Sequence, residues 1–352
     1  MSTIVTVTPN PALDQTVRVA HLALGGVNQA ASLEFNAGGK GVNVAGCLAD
    51  YGIATIATGL LGSEGSSAFD ALFAGKRITD RFVRIAGQPR INVKLVDAAR
   101  GETTDINLAS AAVSPDAVAA LEAQLAALAE PGRWFVLAGS LPPGIGADFY
   151  RRMTRRLHAA GARVALDTSG APLAQVLAAT DPAELPDLMK PNRDELEAVL
   201  GRPLADRQAL CEAACALVAR GVRHVAVSLG EHGALGVSAA GGERSGTAGA
   251  VYDGFRAAPL RVPVASTVGA GDAFVAGLVA SLVEGRGWAE AGRRATAFAA
   301  AKLARVGPHL PDRATLEALA SQVEIESFTI MSADGADGQP ATRAGAETSW
   351  KN

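Results

Sequence analysis

Trp134-Phe135-Val136-Leu137-Ala138-Gly139 is an unbroken apolar run closed by a glycine, and its neighbours on either side decide the fold. A short strand with no polar position is one buried on both faces. Upstream, Ser114-Pro115-Asp116 reads as a helix start, with Ser as N-cap and Pro at the first helical position. Val118, Leu121, Leu125 and Leu128 then recur at helical spacing. Downstream, Phe149, Met153 and Leu157 mark the next helix, Arg163 to Asp167 a strand, and Leu188 to Lys190 a short strand. Leu210 to Val218 supplies another helix face and Val222 to Leu229 another strand. Such βα alternation predicts an α/β protein whose mostly parallel sheet is covered by helices on both faces.

The first third has a different texture. Thr3 to Thr8 and Ile53 to Gly59 look like core strands flanking a helix over about Gly41 to Tyr51, but residues 14–36 and 80–108 do not continue the pattern. There Ile91, Val93 and Leu95 alternate with Asn92 and Lys94, as in a half-exposed strand. We expect a small β-sheet lid built from these two insertions, within a single domain over residues 1–328. The Gly- and Ala-rich stretch Ala239 to Ala258 reads as a loop or loose hairpin. Apolar patterning stops near residue 330, so residues 329–352 are expected to form a disordered tail.

Composition narrows the function classes. Across 352 residues, 49% hydrophobic and 19% charged content with mean hydropathy +0.19 describes a globular chain with a large core. Thirty-five acidic against 32 basic residues leave a net charge of −3, which offers no basic surplus for nucleic acid. No apolar run approaches the roughly 18 residues of a spanning helix, so no membrane role is expected. The start, Met1-Ser2-Thr3-Ile4-Val5-Thr6-Val7, reads as a first strand rather than a targeting segment. Cys47, Cys211 and Cys215 make no disulfide framework, which fits a reducing cytoplasm.

Two Gly-rich turns carry the candidate chemistry. Ser266-Thr267-Val268-Gly269-Ala270-Gly271-Asp272-Ala273-Phe274 opens a helical run, so its backbone N–H groups can bind an anion with the helix dipole behind them. Asp272 is placed either to act as a base at the mouth of that site or merely to cap the helix; the pattern alone leaves both open. Asn36-Ala37-Gly38-Gly39-Lys40-Gly41-Val42-Asn43 also opens a helix, but it is no Walker A loop, because Lys40 is not followed by Ser or Thr. Lys40 and Asn43 offer a cation and an amide for hydroxyls or phosphate, and a plain flexible loop fits the same residues.

Lysine is scarce, with six lysines against 26 arginines, so its placement is informative. Lys40, Lys94 and Lys190 fall in candidate sites, where a compact ammonium is not interchangeable with a guanidinium. In Lys190-Pro191-Asn192-Arg193-Asp194-Glu195, Asn192 and Glu195 are spaced to hold a hydrated Mg²⁺ through its waters or to form a capping box, and the two are compatible. Ser228-Leu229-Gly230-Glu231-His232-Gly233 closes a strand where α/β proteins bind ligands. Gly139-Ser140-Leu141-Pro142-Pro143-Gly144 lacks the order of a nucleophile elbow. The histidines show no metal-ligand spacing, and Cys211 with Cys215 reads as helix packing.

In order along the chain, these segments resemble the PfkB family of carbohydrate kinases, from Thr8-Pro9-Asn10-Pro11-Ala12-Leu13-Asp14 through Gly38 to Ala45, Gly139 to Pro142, Lys190 to Asn192 and Ser228 to Gly230, ending in Gly269 to Asp272. Within it, Arg90-Ile91-Asn92-Val93-Lys94 and the Thr-Pro-Asn-Pro-Ala start are most similar to the bacterial branch acting on fructose 1-phosphate. Two stretches depart from the family, a longer segment near 240–256 and the residues after about 330.

The resemblance implies a ribokinase-like three-layer αβα sandwich with a β-sheet lid, ATP as phosphoryl donor and Mg²⁺ as cofactor. It makes Asp272 the base that accepts the acceptor hydroxyl's proton, with the N–H groups of Gly269, Ala270 and Gly271 stabilising the transferred phosphoryl. Asp14, Gly38, Gly39, Asn43 and Ser140 would hold the sugar; Arg90, Asn92, Lys94 and Lys40 would surround its phosphate. Lys190, Asn192, Ser228, Gly230, Gly233 and Thr267 resemble the nucleotide side, with Glu195 and Asn192 near Mg²⁺ through water. A homodimer joined through the lids is implied too. The expected reaction phosphorylates the 6-hydroxyl of fructose 1-phosphate. Rivals are a tagatose 6-phosphate kinase, a 6-phosphofructokinase of the same family, and a dinucleotide-binding oxidoreductase, although no G-x-G-x-x-G follows the first strand. A catalytically dead sugar-binding regulator is disfavoured, since Asp272 and its glycines are intact.

Overall fold

The computed structural model describes residues 3–240, 250–305, 307 and 309–331. In chain order it runs β1 Ile4–Thr8, β2 Ala12–Val19, β3 Ala30–Gly38, α1 Lys40–Asp50, β4 Thr55–Gly62, α2 Ser67–Lys76, β5 Thr79–Asp80, β6 Val83–Ile85, β7 Arg90–Asp97 and β8 Glu102–Asn107. There follow α3 Pro115–Leu128, β9 Trp134–Ala138, α4 Phe149–Ala159, β10 Arg163–Asp167, α5 Gly170–Leu177, β11 Leu188–Met189, α6 Arg193–Leu200 and α7 Arg207–Ala219. The chain continues through β12 His224–Ser228, β13 Ala234–Ala239, β14 Val251–Ala257, α8 Ala270–Val283, α9 Trp288–Leu303, α10 Arg313–Ala320 and β15 Ile325–Met331.

Strands of the main sheet stand in the order β15-β14-β13-β12-β11-β10-β9-β1-β4-β5, with β6 also on β4. Pairing is parallel from β12 through β4 and its neighbours and antiparallel from β12 to β15. The apolar run Trp134 to Ala138 explains the layering. Successive side chains of a strand point to opposite faces, and here Phe135 and Leu137 join one core while Trp134, Val136 and Ala138 join another. The first core packs against α3, α4, α5, α6 and α7, the second against α1, α8, α9 and α10. This is the expected three-layer αβα sandwich. No helix among the described residues is long and apolar enough to cross a membrane.

The lid is a separate sheet of order β3-β2-β7-β8, with β2 and β7 parallel and both outer pairs antiparallel. Its cross-strand register sorts residues by face. Asn36, Asp14, Asn92 and Asn107 lie in one row, followed by Glu34, Thr16, Lys94 and Asp105 in the next row of the same face. The opposite face carries the row Phe35, Gln15, Val93 and Ile106, then Leu33, Val17 and Leu95. The lid thus has one polar and one apolar side, as period-two alternation requires.

Three boundaries need correction. The second insertion was expected from residue 80, but β5 and β6 pair with β4 of the main sheet, so the lid strand begins at Arg90. Strands of two and three residues are too short to show a period. In the Gly-rich stretch the hairpin alternative holds, but more regularly than expected: Val251 to Ala257 is a full strand paired antiparallel with β13 and with β15. Its pattern is hidden by Gly254, where the Phe328 ring lies so close that an added Cβ would meet it at 2.1 Å. Finally, the domain was expected to end at 328, yet β15 runs to Met331 with Ile330 buried in the core. The rest of the expected tail and residues 241–249 lie outside the described residues.

Candidate active site

Parallel strands place their carboxyl ends on one edge, and the candidate residues gather there. Thr8 ends β1, Gly139 follows β9, Asp167 ends β10, Lys190 follows β11 and Ser228 ends β12. The strand β1 has β4 on one side and β9 on the other, so the chain reverses direction across the sheet at this point. The lid rises from the same edge, since β2 begins four residues after β1 ends and β3 leads directly into α1.

Gly269 is the N-cap of α8 with φ 79°, a left-handed conformation that favours glycine. Asp272 lies in the first turn but makes no capping bond. Its Oδ2 instead accepts a hydrogen bond from Asn43 Nδ2 at 2.7 Å, which brings the two Gly-rich turns face to face. Among the described residues, the contact its side chain makes is thus to the start of another helix rather than to its own. Burial, reinforced by the negative charge of Asp167, raises the Asp272 pKa to about 6 against the opposing pull of Lys40, Asn43 and Lys190.

Asp167 is the residue that motif reading missed. Fully buried at the end of β10, its Oδ1 takes the ammonium groups of both Lys40 at 3.0 Å and Lys190 at 3.3 Å, while Oδ2 has no hydrogen-bond partner among the described residues. Burial opposes its charge, but the two lysines outweigh that and hold its carboxyl below the usual range. Burial likewise disfavours the Lys40 ammonium, yet Asp167 and Asp272 push its pKa upward. Lys40, assigned to the sugar phosphate by resemblance, thus shares its partner with Lys190 of the nucleotide side. Lys190 Nζ comes within 3.7 Å of where a Cβ on Gly271 would stand, beside the N-terminus of α8. Asp167 closes an ordinary buried strand, and only the pairing of β10 with β9 and β11 reveals its position.

On the lid's polar face, Arg90 donates to Asn92 Oδ1 at 2.7 Å and Asn92 donates to Asp14 Oδ1 at 3.0 Å. Lys94 Nζ stands 3.6 Å from Asp14 Oδ2 and 3.4 Å from Asp105. The predicted shared face of Arg90, Asn92 and Lys94 is present, and Asp14 joins it from β2. Gly38 is required here: an added Cβ would stand 2.8 Å from the Asp14 carboxyl. Gly39 precedes α1 as its N-cap. Ser140 Oγ accepts from Asn10 Nδ2 at 3.1 Å, and Asn10 in turn accepts from Ser110.

Among the residues expected to face the nucleotide, Asn192 and Ser228 are joined by a backbone bridge. Gly230 and Gly233 bracket a single 3-10 turn after β12, both at positive φ. Thr267 is exposed on the loop before α8. The capping box forms in full, with Glu195 N–H donating to Asn192 Oδ1 at 2.7 Å and Asn192 N–H to Glu195 Oε2 at 2.9 Å. Asn192's side-chain oxygen is thereby committed to the helix. Among the described residues no group of three or more His, Cys, Asp or Glu is placed to hold a metal. Carboxylate oxygen suited to a hard cation is nonetheless present in the unpartnered Asp167 Oδ2 and in Glu195, whose charge is felt at Lys40.

The chain is similar to known proteins in both sequence and fold. Residues 8–314 match the family model described as pfkB family carbohydrate kinase. A 1-phosphofructokinase of Xanthomonas campestris pv. campestris is 46% identical over 300 residues, covering 85% of this chain and 90% of that protein. One from Rhodobacter capsulatus is 44% identical over 328 residues, covering 92% and 98%. Among solved structures, phosphofructokinase-2 from Escherichia coli in complex with substrates and products superposes with TM-score 0.81 at 28% identity, covering 90% of this chain and 98% of that one.

Proposed function

The chain belongs to the pfkB family of carbohydrate kinases, and we propose from its site that it transfers the γ-phosphoryl group of ATP to the 6-hydroxyl of fructose 1-phosphate. The observation that carries the reading is the buried Asp272 carboxylate, held by Asn43 between a lysine-lined nucleotide side and a cationic lid. A base with a pKa of about 6 is largely ionised at neutral pH, yet close enough to it to take a proton efficiently.

The substrate hydroxyl gives its proton to Asp272 as its oxygen attacks the γ-phosphorus and ADP leaves. Charge gathering on the transferred group meets the N–H groups at the start of α8, an arrangement of fixed dipoles that needs no reorganisation. Lys40 and Lys190, splayed on Asp167, hold the nucleotide phosphates. Asp14 grips sugar hydroxyls, while Arg90 and Lys94 neutralise the phosphate already on the sugar. Asp167 and Glu195 are the protein carboxylates that would face a Mg²⁺ ion bound with the nucleotide, which would supply neutralisation of phosphate charge.

The apolar outer face of the lid supports a second copy of the chain as partner, since Leu33, Phe35 and Ile106 are each about half exposed there. Three unpaired thiols support a cytoplasmic site. The deciding experiment is a coupled ADP-release assay with fructose 1-phosphate, fructose 6-phosphate and tagatose 6-phosphate. The highest kcat/KM is expected with fructose 1-phosphate; a preference for either 6-phosphate overturns the assignment in favour of the corresponding kinase.

A further inference from the structure

Lys302, in the last turn of α9, belongs to none of the motifs and has no part in the reaction described above. Only 4% exposed, it forms no ion pair among the described residues, and its one hydrogen bond there is a long 3.3 Å contact to the carbonyl of Arg305. Burial lowers its pKa, with Lys76 adding to that effect and the charges of Cys47 and Asp272 opposing it. A buried ammonium without a carboxylate is costly unless something else neutralises it.

Its placement says what that would be. A Cβ on Gly269 would stand 3.3 Å from Lys302 Cε, 3.6 Å from Asn43 Nδ2 and 3.7 Å from Asp272 Oδ2, so the three side chains converge on one point at the mouth of α8. Lys190 approaches the same turn at Gly271. Lys302 also lines the cleft shared with Asp14, Asn43 and Lys94, between lid and body. Of the two lysines at this turn, it is Lys302 that lines the cleft with the lid residues Asp14 and Lys94.

We propose that Lys302 is an anion-binding residue for the phosphoryl group as it arrives on the sugar, and that it holds the second phosphate of the product. The inference rests on the sugar-phosphate kinase reading. The oxygen that loses its proton to Asp272 is the one that gains the phosphoryl, so the new phosphate lies within reach of whatever converges on Asp272. An ammonium there binds the bisphosphate product more tightly than the monophosphate substrate, because only the product presents charge at that point.

The test compares wild type with Lys302→Met, similar in length but uncharged, and Lys302→Gln. Expected results are a ten-fold or greater rise in the inhibition constant of fructose 1,6-bisphosphate and a ten-fold or greater fall in the single-turnover transfer rate. Dissociation constants of ATP and fructose 1-phosphate should stay within about three-fold, and Lys302→Arg should restore part of the bisphosphate affinity. Unchanged bisphosphate inhibition, or equal weakening of all three ligands as a merely structural lysine would give, overturns the proposal. The wild-type chain gives an answer independent of variant folding: fructose 1,6-bisphosphate should protect Lys302 from amine acetylation, read by peptide mass spectrometry, more than fructose 1-phosphate does. Equal protection overturns it. If wild type does not phosphorylate fructose 1-phosphate at all, the functional reading fails instead, and the two failures are distinct.

Discussion

Asn43 reaches Asp272 across 229 positions of sequence, its amide 2.7 Å from the carboxylate. One residue sits in the first turn of α1 below the lid, the other in the first turn of α8. This bond ties the Gly-rich turn before α1 to the one before α8, and it stabilises the ionised form of a carboxylate that burial and Asp167 push toward protonation.

Replacing Asp272 with Asn should leave the fold and nucleotide binding intact while kcat falls by roughly 10²–10⁴-fold, the usual worth of general-base catalysis. Steady-state kinetics beside a nucleotide titration checks it. Near-normal turnover would remove Asp272 from the reaction.

The acid limb of kcat/KM against pH should lie near pH 6 and should move in opposite directions in two variants. Asn43→Ala removes a hydrogen bond to the ionised form, so the limb moves to higher pH. Asp167→Asn removes a neighbouring negative charge, so it moves to lower pH. A common direction for both would contradict the electrostatic account.

Stability should carry the same signature. The folded pKa of Asp272 is raised from 3.8 to about 6, so the native state binds its proton more tightly than the unfolded chain does. The contribution is present in full below pH 3.8 and is lost as pH rises through 6. Asp272→Asn should therefore exceed wild type in unfolding free energy by about 1–3 kcal/mol at pH 8, with the gap closing toward pH 4. Denaturant titrations at the two pH values measure it.

Arg90→Ala and Lys94→Ala should raise KM for fructose 1-phosphate by about one to two decades, the value of a charge-assisted contact of roughly 1.5–3 kcal/mol. KM for ATP should hardly move. Both should also shrink the preference over unphosphorylated fructose. Equal effects on the two substrates would show that this strand does not read the phosphate.

Phe35→Glu puts a charge in the apolar row Phe35, Gln15, Val93 and Ile106 on the lid's outer face. If that face joins two copies, light scattering will find the variant shifted toward monomer. An unchanged mass would place any interface elsewhere.

The βα alternation from Ser114 onward, the two Gly-rich helix starts and the shared face of Arg90, Asn92 and Lys94 were all legible in the chain, because each depends on residues close in sequence. Strand and helix periodicity, capping and glycine conformations are local physics, and local physics survives in a linear pattern. What lay beyond it were contacts closed by the sheet. Asp167 looks like the end of any buried strand until β9, β10 and β11 align and bring Lys40 and Lys190 onto its carboxylate. Lys302 lies 33 residues after Gly269 on another helix, and only the packing of α9 against α8 brings its side chain to that turn. The surroundings of Asp272 belong with these. A carboxylate three residues into a helix suits cap or base in sequence. Its contact with Asn43 from the far end of the chain exists only in the folded structure, since burial and electrostatics belong to the assembled neighbourhood rather than to the residue.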